Sequence, residues 1–358
     1  MNLKDEYSKL FVTNLAKDII GYDDKFDSKN FIKHIINENW EAKELKERMR
    51  FITEALNSFL NHSYPQQIKI LSKVVTNYKG LQGMVFPDFV QVYGLDDYNT
   101  SIKALELFTQ HSTAEFAIRP FIEKYPTQTM EQMLKWSKHT NEHLRRLASE
   151  GTRPKLPWAS PLKEFIKNPA PCLPILENLK SDNSLYVRKS VANHLNDISK
   201  NQPDLVLTIC KKWYGNSTNT NWIIKHALRT LLKKGNKKAL AIFGLDNAKQ
   251  LEINSLKLSN KEIKIGDFLF FEFDVTNQSN KERAIRLEYK IDYVKANGTT
   301  SGKVFQLSEF SLKAQQSKSF KRKQWFKQLS TRVHYLGVHK ITLIINGDEK
   351  ESINVKLV

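Results

Sequence analysis

Val187-Arg188-Lys189-Ser190-Val191 decides how this chain is read, because the same five-residue grammar stands on either side of it. Leu144-Arg145-Arg146-Leu147-Ala148 precedes it and Ile224-Lys225-His226-Ala227-Leu228 follows, each apolar, basic, basic or polar, then small or apolar. The first residues of the three motifs, 144, 187 and 224, lie 43 and 37 residues apart. A stacked helix pair repeats at about 40–47 residues. The surrounding apolar spacing is helical in Val187, Val191, Leu195 and Ile198, and in Ala104, Leu107 and Phe108. Ile223, Ala227, Leu228, Leu231 and Leu232 form a third stripe before Gly235, which sits where a C-cap belongs. In such an array each pair buries its stripe against its neighbours, and the inner helices line a concave surface. Arg145, Arg188 and Lys225 then occupy equivalent positions along it. Solvated helix faces also carry Lys and Arg; register sets these three apart.

After about residue 248 the grammar changes. Ile263–Ile265, Phe268–Val275, Ile285–Tyr293, Ser319–Trp325 and Val338–Ile345 are rich in β-branched and aromatic residues. Turn signals separate them at Gly266-Asp267, Asn277–Asn280, Asn297-Gly298 and Asn346-Gly347-Asp348. Six or seven short strands are expected, in an immunoglobulin-like arrangement without the Cys-Trp-Cys signature of a true immunoglobulin domain. The predicted architecture is multidomain: an all-α HEAT-like repeat solenoid over 1–247, then an all-β immunoglobulin-like sandwich over 248–358. Gly (13) and Pro (11) are sparse in 358 residues, which favours long helical stretches over a loop-rich chain.

With 56 Lys and Arg against 38 Asp and Glu, the formal charge is +18. The 108 residues from 251 hold 19 basic and 12 acidic side chains, and the remainder 37 and 26, so both parts are basic. An anionic partner is implied, and nucleic acid comes first because phosphate neutralisation drives non-specific binding. Solubility is the bland alternative. Two cysteines, Cys172 and Cys210, cannot staple so long a chain and point to a reducing cytosol. No stretch reaches the ~18 apolar residues of a membrane span, and Met1–Phe11 has no apolar signal core.

The common catalytic signatures are missing: there is no phosphate loop, G-x-G-x-x-G, H-E-x-x-H, G-x-S-x-G or C-x-x-C. His139 and His143 share helical spacing, but no third ligand stands nearby in the sequence, so no metal is expected. Chemistry concentrates between residues 111 and 198. Glu115 follows Ser112 in a Ser-x-x-Glu pattern, which reads as a capping box. Glu150 stands at a helix C-terminus, where the macrodipole disfavours a carboxylate and a cationic partner is wanted. Trp158 ends Gly151-Thr152-Arg153-Pro154-Lys155-Leu156-Pro157-Trp158, a stiff loop offering an indole either for stacking or as a lid over the helices. Ser190, His194 and Asp197 follow a polar face distinct from the apolar stripe; a ligand surface and a solvated face are both open readings.

These segments resemble the DNA alkylation repair family of HEAT-like-repeat glycosylases, in its AlkC branch. Glu115-Phe116-Ala117-Ile118-Arg119-Pro120, Leu147–Trp158 and Val191–Asp197 carry the resemblance, and the Ser-Glu-Gly-Thr-Arg-Pro stretch through Trp158 is its most specific element. The resemblance implies hydrolysis of the N-glycosidic bond of cationic N-alkylated bases, such as 3-methyladenine and 3-methylcytosine, in duplex DNA and without base flipping. It assigns the catalytic positions to Asp197, Glu150, Glu115 and Trp158. Asp197 is expected to position water or stabilise the sugar cation, with Glu115 and Glu150 near the lesion and Trp158 against deoxyribose or base. Arg145, Arg153, Arg188, Lys225 and Arg229 are expected to contact DNA. Lys321, Arg322 and Lys323 are expected to do so from a loop or strand end of the β-domain. No cofactor is implied, and a monomer in the bacterial cytosol is expected. The competing expectation is a non-catalytic HEAT-repeat scaffold that binds nucleic acid.

Overall fold

The structure is a computed structural model that describes residues 2–329 and 332–358. Among these, sixteen α-helices run from Lys9 to Ile242 and eight strands follow from Leu251. Helix starts obey local chemistry. Asp27, Asp97, Asn141 and Asn236 each accept a backbone N–H of the first turn of the helix they precede, which satisfies a donor the helix leaves open.

The three repeated motifs fall on the helices Glu142–Gly151, Leu185–Ser199 and Thr218–Ala227, the third running one residue past its helix. These helices pack one on the next, burying Leu144, Leu147 and Ala148, then Val187, Val191 and Leu195, then Ile223, Ile224 and Ala227. The repeat is also legible in polar contacts. Arg145 Nη1 donates to the carbonyls of His139 and Thr140, and Arg188 Nη1 to those of Asp182 and Asn183. Each arginine thus closes the turn five and six residues before it. Arg145 also binds the Asp182 carboxylate from Nε and Nη2, at 2.6 and 3.1 Å.

The chain forms two compact units. One contains residues up to 202 with 215–227, and the other 203–214 with 228–358. The last helical segments therefore cluster with the strands. The strands are β1 (Leu251–Leu258), β2 (Glu262–Ile263), β3 (Phe268–Asn277), β4 (Arg283–Val294), β5 (Thr300–Leu312), β6 (Ser317–Trp325), β7 (Gly337–Ile345) and β8 (Asp348–Leu357). A three-stranded sheet has the order β1-β3-β6 and a five-stranded sheet the order β2-β8-β7-β4-β5. All pairings are antiparallel except β2 with β8. Leu269, Phe271, Phe273 and Val275 on one sheet share a core with Leu287, Ile291, Ile341 and Leu343 on the other. The β7–β8 hairpin turns at Asn346 and Gly347, both with positive φ, as the Asn-Gly signal requires.

Eight strands stand where six or seven were expected. β1, β5 and β8 went unnamed because their outer residues are polar and their alternation is broken; β5 is an edge strand. Lys321, Arg322 and Lys323 lie within β6, an edge strand, rather than in a loop. No described helix is long and apolar enough to cross a membrane. Cys172 and Cys210 are free and buried.

Candidate active site

Three carboxylates from three separate segments come together. Glu150 is the penultimate residue of the Glu142–Gly151 helix, and Asp197 lies near the end of Leu185–Ser199. Glu115 sits in the turn before the Arg119–Lys124 helix. All three are buried, Asp197 to 2% exposure. Buried carboxylates demand partners, and here arginines alternate with them.

Arg146 Nη1 lies 2.6 Å from Glu115 Oε2, and its Nη2 lies 3.8 Å from Glu150 Oε1. Arg153 donates from Nη1 to Glu150 Oε1 at 2.6 Å and from Nε to Asp197 Oδ2 at 2.8 Å. Lys200 completes the row with Nζ 2.9 Å from Asp197 Oδ1. The series Glu115, Arg146, Glu150, Arg153, Asp197, Lys200 is a continuous ladder of alternating charge. Burial alone would lower both guanidiniums, but Glu115 and Glu150 hold Arg146 above its ordinary value, and Glu150 and Asp197 do the same for Arg153.

The Glu150 anomaly at a helix C-terminus is thereby resolved from within the chain, by Arg153 and Arg146. The capping-box expectation for Ser112 and Glu115 does not hold. The Ser112 hydroxyl donates to the Gly80 carbonyl, while Glu115 accepts from the Thr113 hydroxyl and from Arg146. The solvated-face reading of Ser190, His194 and Asp197 fails as well, because all three are buried. Ser190 donates to Glu150 and lies 3.0 Å from the Ser149 hydroxyl. His194 pairs its Nδ1 with the Ser149 carbonyl at 2.9 Å, and Nε2 is buried without a hydrogen bond. Burial, then the charges of Arg153 and Arg119, push its pKa down to about 3, so the ring is neutral at pH 7.

The loop from 151 to 160 is tied down by Arg119, which donates to the carbonyls of Gly151, Arg153 and Ser160. Burial brings this guanidinium down to about 10. At the loop's crest Trp158 adopts a φ of +66° and is 63% exposed. A bulky residue in the left-handed region is strained. Lys46 restrains it, donating from Nζ to the Trp158 carbonyl at 2.5 Å with the ammonium 5.8 Å from the indole centroid. Beside Trp158 opens a cavity of about 580 Å³ bordered by Phe51, Phe116, Lys46 and Arg119. An exposed indole, not a buried lid, meets solvent here.

The DNA alkylation repair enzyme family matches residues 106–231, and the C-terminal Ig-like domain of YhaZ proteins matches 252–358. The uncharacterized protein YhaZ of Bacillus subtilis is 45% identical, over 99% of both chains. The chain superimposes with a TM-score of 0.96, at 36% identity and over all of both chains, on the Pseudomonas fluorescens alkylpurine DNA glycosylase AlkC bound to DNA containing an abasic site analog. The chain belongs to the AlkC family of DNA alkylation repair proteins. Its ladder of carboxylates and its exposed tryptophan fall within the matched segment of that family.

Arg153 and Arg145, expected at DNA, are engaged by Asp197 with Glu150 and by Asp182. Arg188 is half-buried against backbone carbonyls, whereas Lys225 is exposed and Arg229 half-buried. Sequence reasoning missed Arg146, Arg119 and Lys46 as site residues. The repeated basic pair at 145 and 146 was the available signal for Arg146; nothing local announced Lys46, which reaches Trp158 from 112 residues away. Among the described residues no group of three or more His, Cys, Asp or Glu is arranged to hold a metal.

Proposed function

We propose that this protein is a DNA glycosylase that hydrolyses the N-glycosidic bond of cationic N-alkylated bases, 3-methyladenine and 3-methylcytosine among them, in duplex DNA. The observation that carries the reading is the ladder of Glu115, Glu150 and Asp197, with exposed Trp158 on the loop that carries Arg153, in a chain of the AlkC family. In the reaction the C1′–N bond breaks with its electron pair leaving on the base. The base was cationic and departs neutral, so no acid need protonate it. Positive charge appears on the sugar, water adds to C1′, and one proton is released. Carboxylates fixed in place are suited to the sugar cation and the incoming water. Asp197 is the residue for that task, with Glu115 and Glu150 near the lesion and the sugar. The indole face of Trp158 offers a cationic base or the deoxyribose an attractive contact. An exposed Trp on a restrained loop favours reading the lesion without extruding it into a closed pocket.

In this proposal residues 1–247 form the glycosylase domain and 248–358 the second domain. The protein acts as a monomer in the bacterial cytosol. Lys225, Arg229 and the β6 cations Lys321, Arg322 and Lys323 neutralise phosphates, while Arg145, Arg153 and Arg188 order the helix turns and carboxylates around them. The test is incubation with methylated duplex DNA, without cofactor, and identification of free bases. Release of 3-methyladenine by the wild type and its loss on Asp197→Asn are expected. Intact DNA after incubation with the wild type would leave the scaffold reading in its place.

A further inference from the structure

We propose that the outer face of the β1-β3-β6 sheet binds single-stranded nucleic acid, separately from the binding of duplex at the carboxylate ladder. The pairing register puts the relevant residues on one side. β3 alternates buried and exposed along its length, so Phe268, Phe270 and Glu272 face outward. Their partners on β6 are Trp325, Lys323 and Lys321, and Lys257 on β1 stands opposite Glu272.

Three aromatic rings thus lie in solvent at one end of the face, with Phe270 51% exposed. A soluble chain ordinarily places such rings in the core, as β3 does with Phe271 and Phe273. The exposed rings are ordered. Phe268 stacks on Trp325 with centroids 5.1 Å apart and an interplanar angle of 18°. Trp325 Nε1 donates to the Gly266 carbonyl at 2.8 Å, which fixes the plane of the indole. Cations surround them: Lys323 lies 4.9 Å from the Phe268 centroid and Lys327 4.7 Å from that of Trp325.

Charge complementarity selects the occupant. Aromatic faces interleaved with lysines match a strand whose bases are free to stack and whose phosphates lie between them. Phe268 and Phe270 are two residues apart on β3, about 6.8 Å along the strand, so successive stacked bases have successive platforms. A duplex offers no free base face, and an apolar protein partner would leave Lys323 and Lys327 unmatched; Lys321 already pairs with Glu272 at 3.3 Å. The aromatic rings of the face therefore select unpaired nucleotides, while its lysines meet phosphates of either form.

The test is fluorescence anisotropy of the full-length chain with a labelled 15-nucleotide oligo(dT) and, separately, a 15-base-pair duplex. Wild type is expected to bind both. Phe270→Ala, whose ring makes no hydrogen bond, should weaken oligo(dT) binding by about 5- to 150-fold, the range for one lost base–aromatic stack. Duplex affinity should stay within twofold. Trp325→Ala should do the same and Phe270→Leu should not restore binding; cooperative melting of each variant verifies folding. Three outcomes overturn the proposal: no oligo(dT) binding by wild type, equal loss on duplex and single strand, or loss on Lys323→Gln but none on Phe270→Ala. The last marks a charged surface without stacking. Because base release from methylated duplex is read in a separate assay, failure here leaves the glycosylase reading untouched.

Discussion

Arg153 grips Asp197 through both Nε and Nη2, each 2.8 Å from Oδ2, with both side chains almost wholly buried. The same guanidinium holds Glu150. Its removal strands two carboxylates in the interior. Arg153→Met should therefore destabilise the fold by about 3–5 kcal/mol, the usual cost of breaking a buried pair from one side. Urea unfolding measures it. Asp197→Asn retains a hydrogen-bond acceptor for Arg153 but loses the charge. It should melt cooperatively while excision of 3-methyladenine falls by about 10²-fold or more. Wild-type excision by Asp197→Asn would remove this carboxylate from the reaction.

Trp158 separates function from stability more cleanly. Its indole is mostly in solvent, so Trp158→Ala should change unfolding free energy by no more than about 0.5 kcal/mol. Excision should nonetheless fall sharply. A large drop in melting temperature would make the ring a packing element.

Much of this was legible in the sequence, and particular residues show why the rest was not. The spacing of Leu144, Val187 and Ile224 gave the stacked helices, because burial of an apolar stripe leaves a periodic trace. The Asn346-Gly347 pair gave the hairpin, because only a few residues tolerate two successive positive φ values. Glu150 at a helix end looked anomalous on its own. Its partner Arg153 was three residues away, yet that arginine was read as a phosphate contact. Sequence shows charge and not which way a guanidinium turns; Arg119, with three backbone carbonyls as its partners, left no pairwise signal at all. β5 was missed because an edge strand keeps polar residues on both faces, which erases the period of two.

The neutral His194 makes stability depend on pH. An unfolded imidazole protonates near pH 6.5, whereas the folded one resists until about 3. Between those values the unfolded chain binds more protons, so stability from this site is present above pH 6.5 and lost as pH falls toward 3. The slope approaches about 1.4 kcal/mol per pH unit. His194→Asn keeps a donor for the Ser149 carbonyl and removes the titration. Its unfolding free energy should decline less steeply than wild type between pH 6 and 4; parallel curves would refute the assignment.

Arg188 and Lys225 occupy matching motif positions but different surroundings. Arg188 closes a turn through the Asp182 and Asn183 carbonyls, and Arg188→Ala should cost about 1–3 kcal/mol of stability. Lys225 is exposed. Lys225→Gln should reduce the slope of log K against log salt by about 0.9 for one lost phosphate contact. An unaltered slope would take Lys225 off the DNA surface.

Lys46 should set the rate at which Trp158 does its work. Its ammonium holds the Trp158 carbonyl and lies 5.4 Å from the Phe116 centroid and 5.8 Å from that of Trp158. This hydrogen bond restrains a residue in a strained backbone conformation. Lys46→Met frees that carbonyl, and the indole then samples orientations unsuited to the lesion. The single-turnover excision rate should fall by about tenfold, equivalent to roughly 1.4 kcal/mol in the barrier. Duplex affinity should drop only by the share of one surface cation. Lys46→Arg retains both the charge and a donor of similar reach, and should recover most of the rate. If Lys46→Met and Lys46→Arg fell equally, the loss would lie in packing rather than in the hold on Trp158; if neither fell, the loop would be set by Arg119 alone.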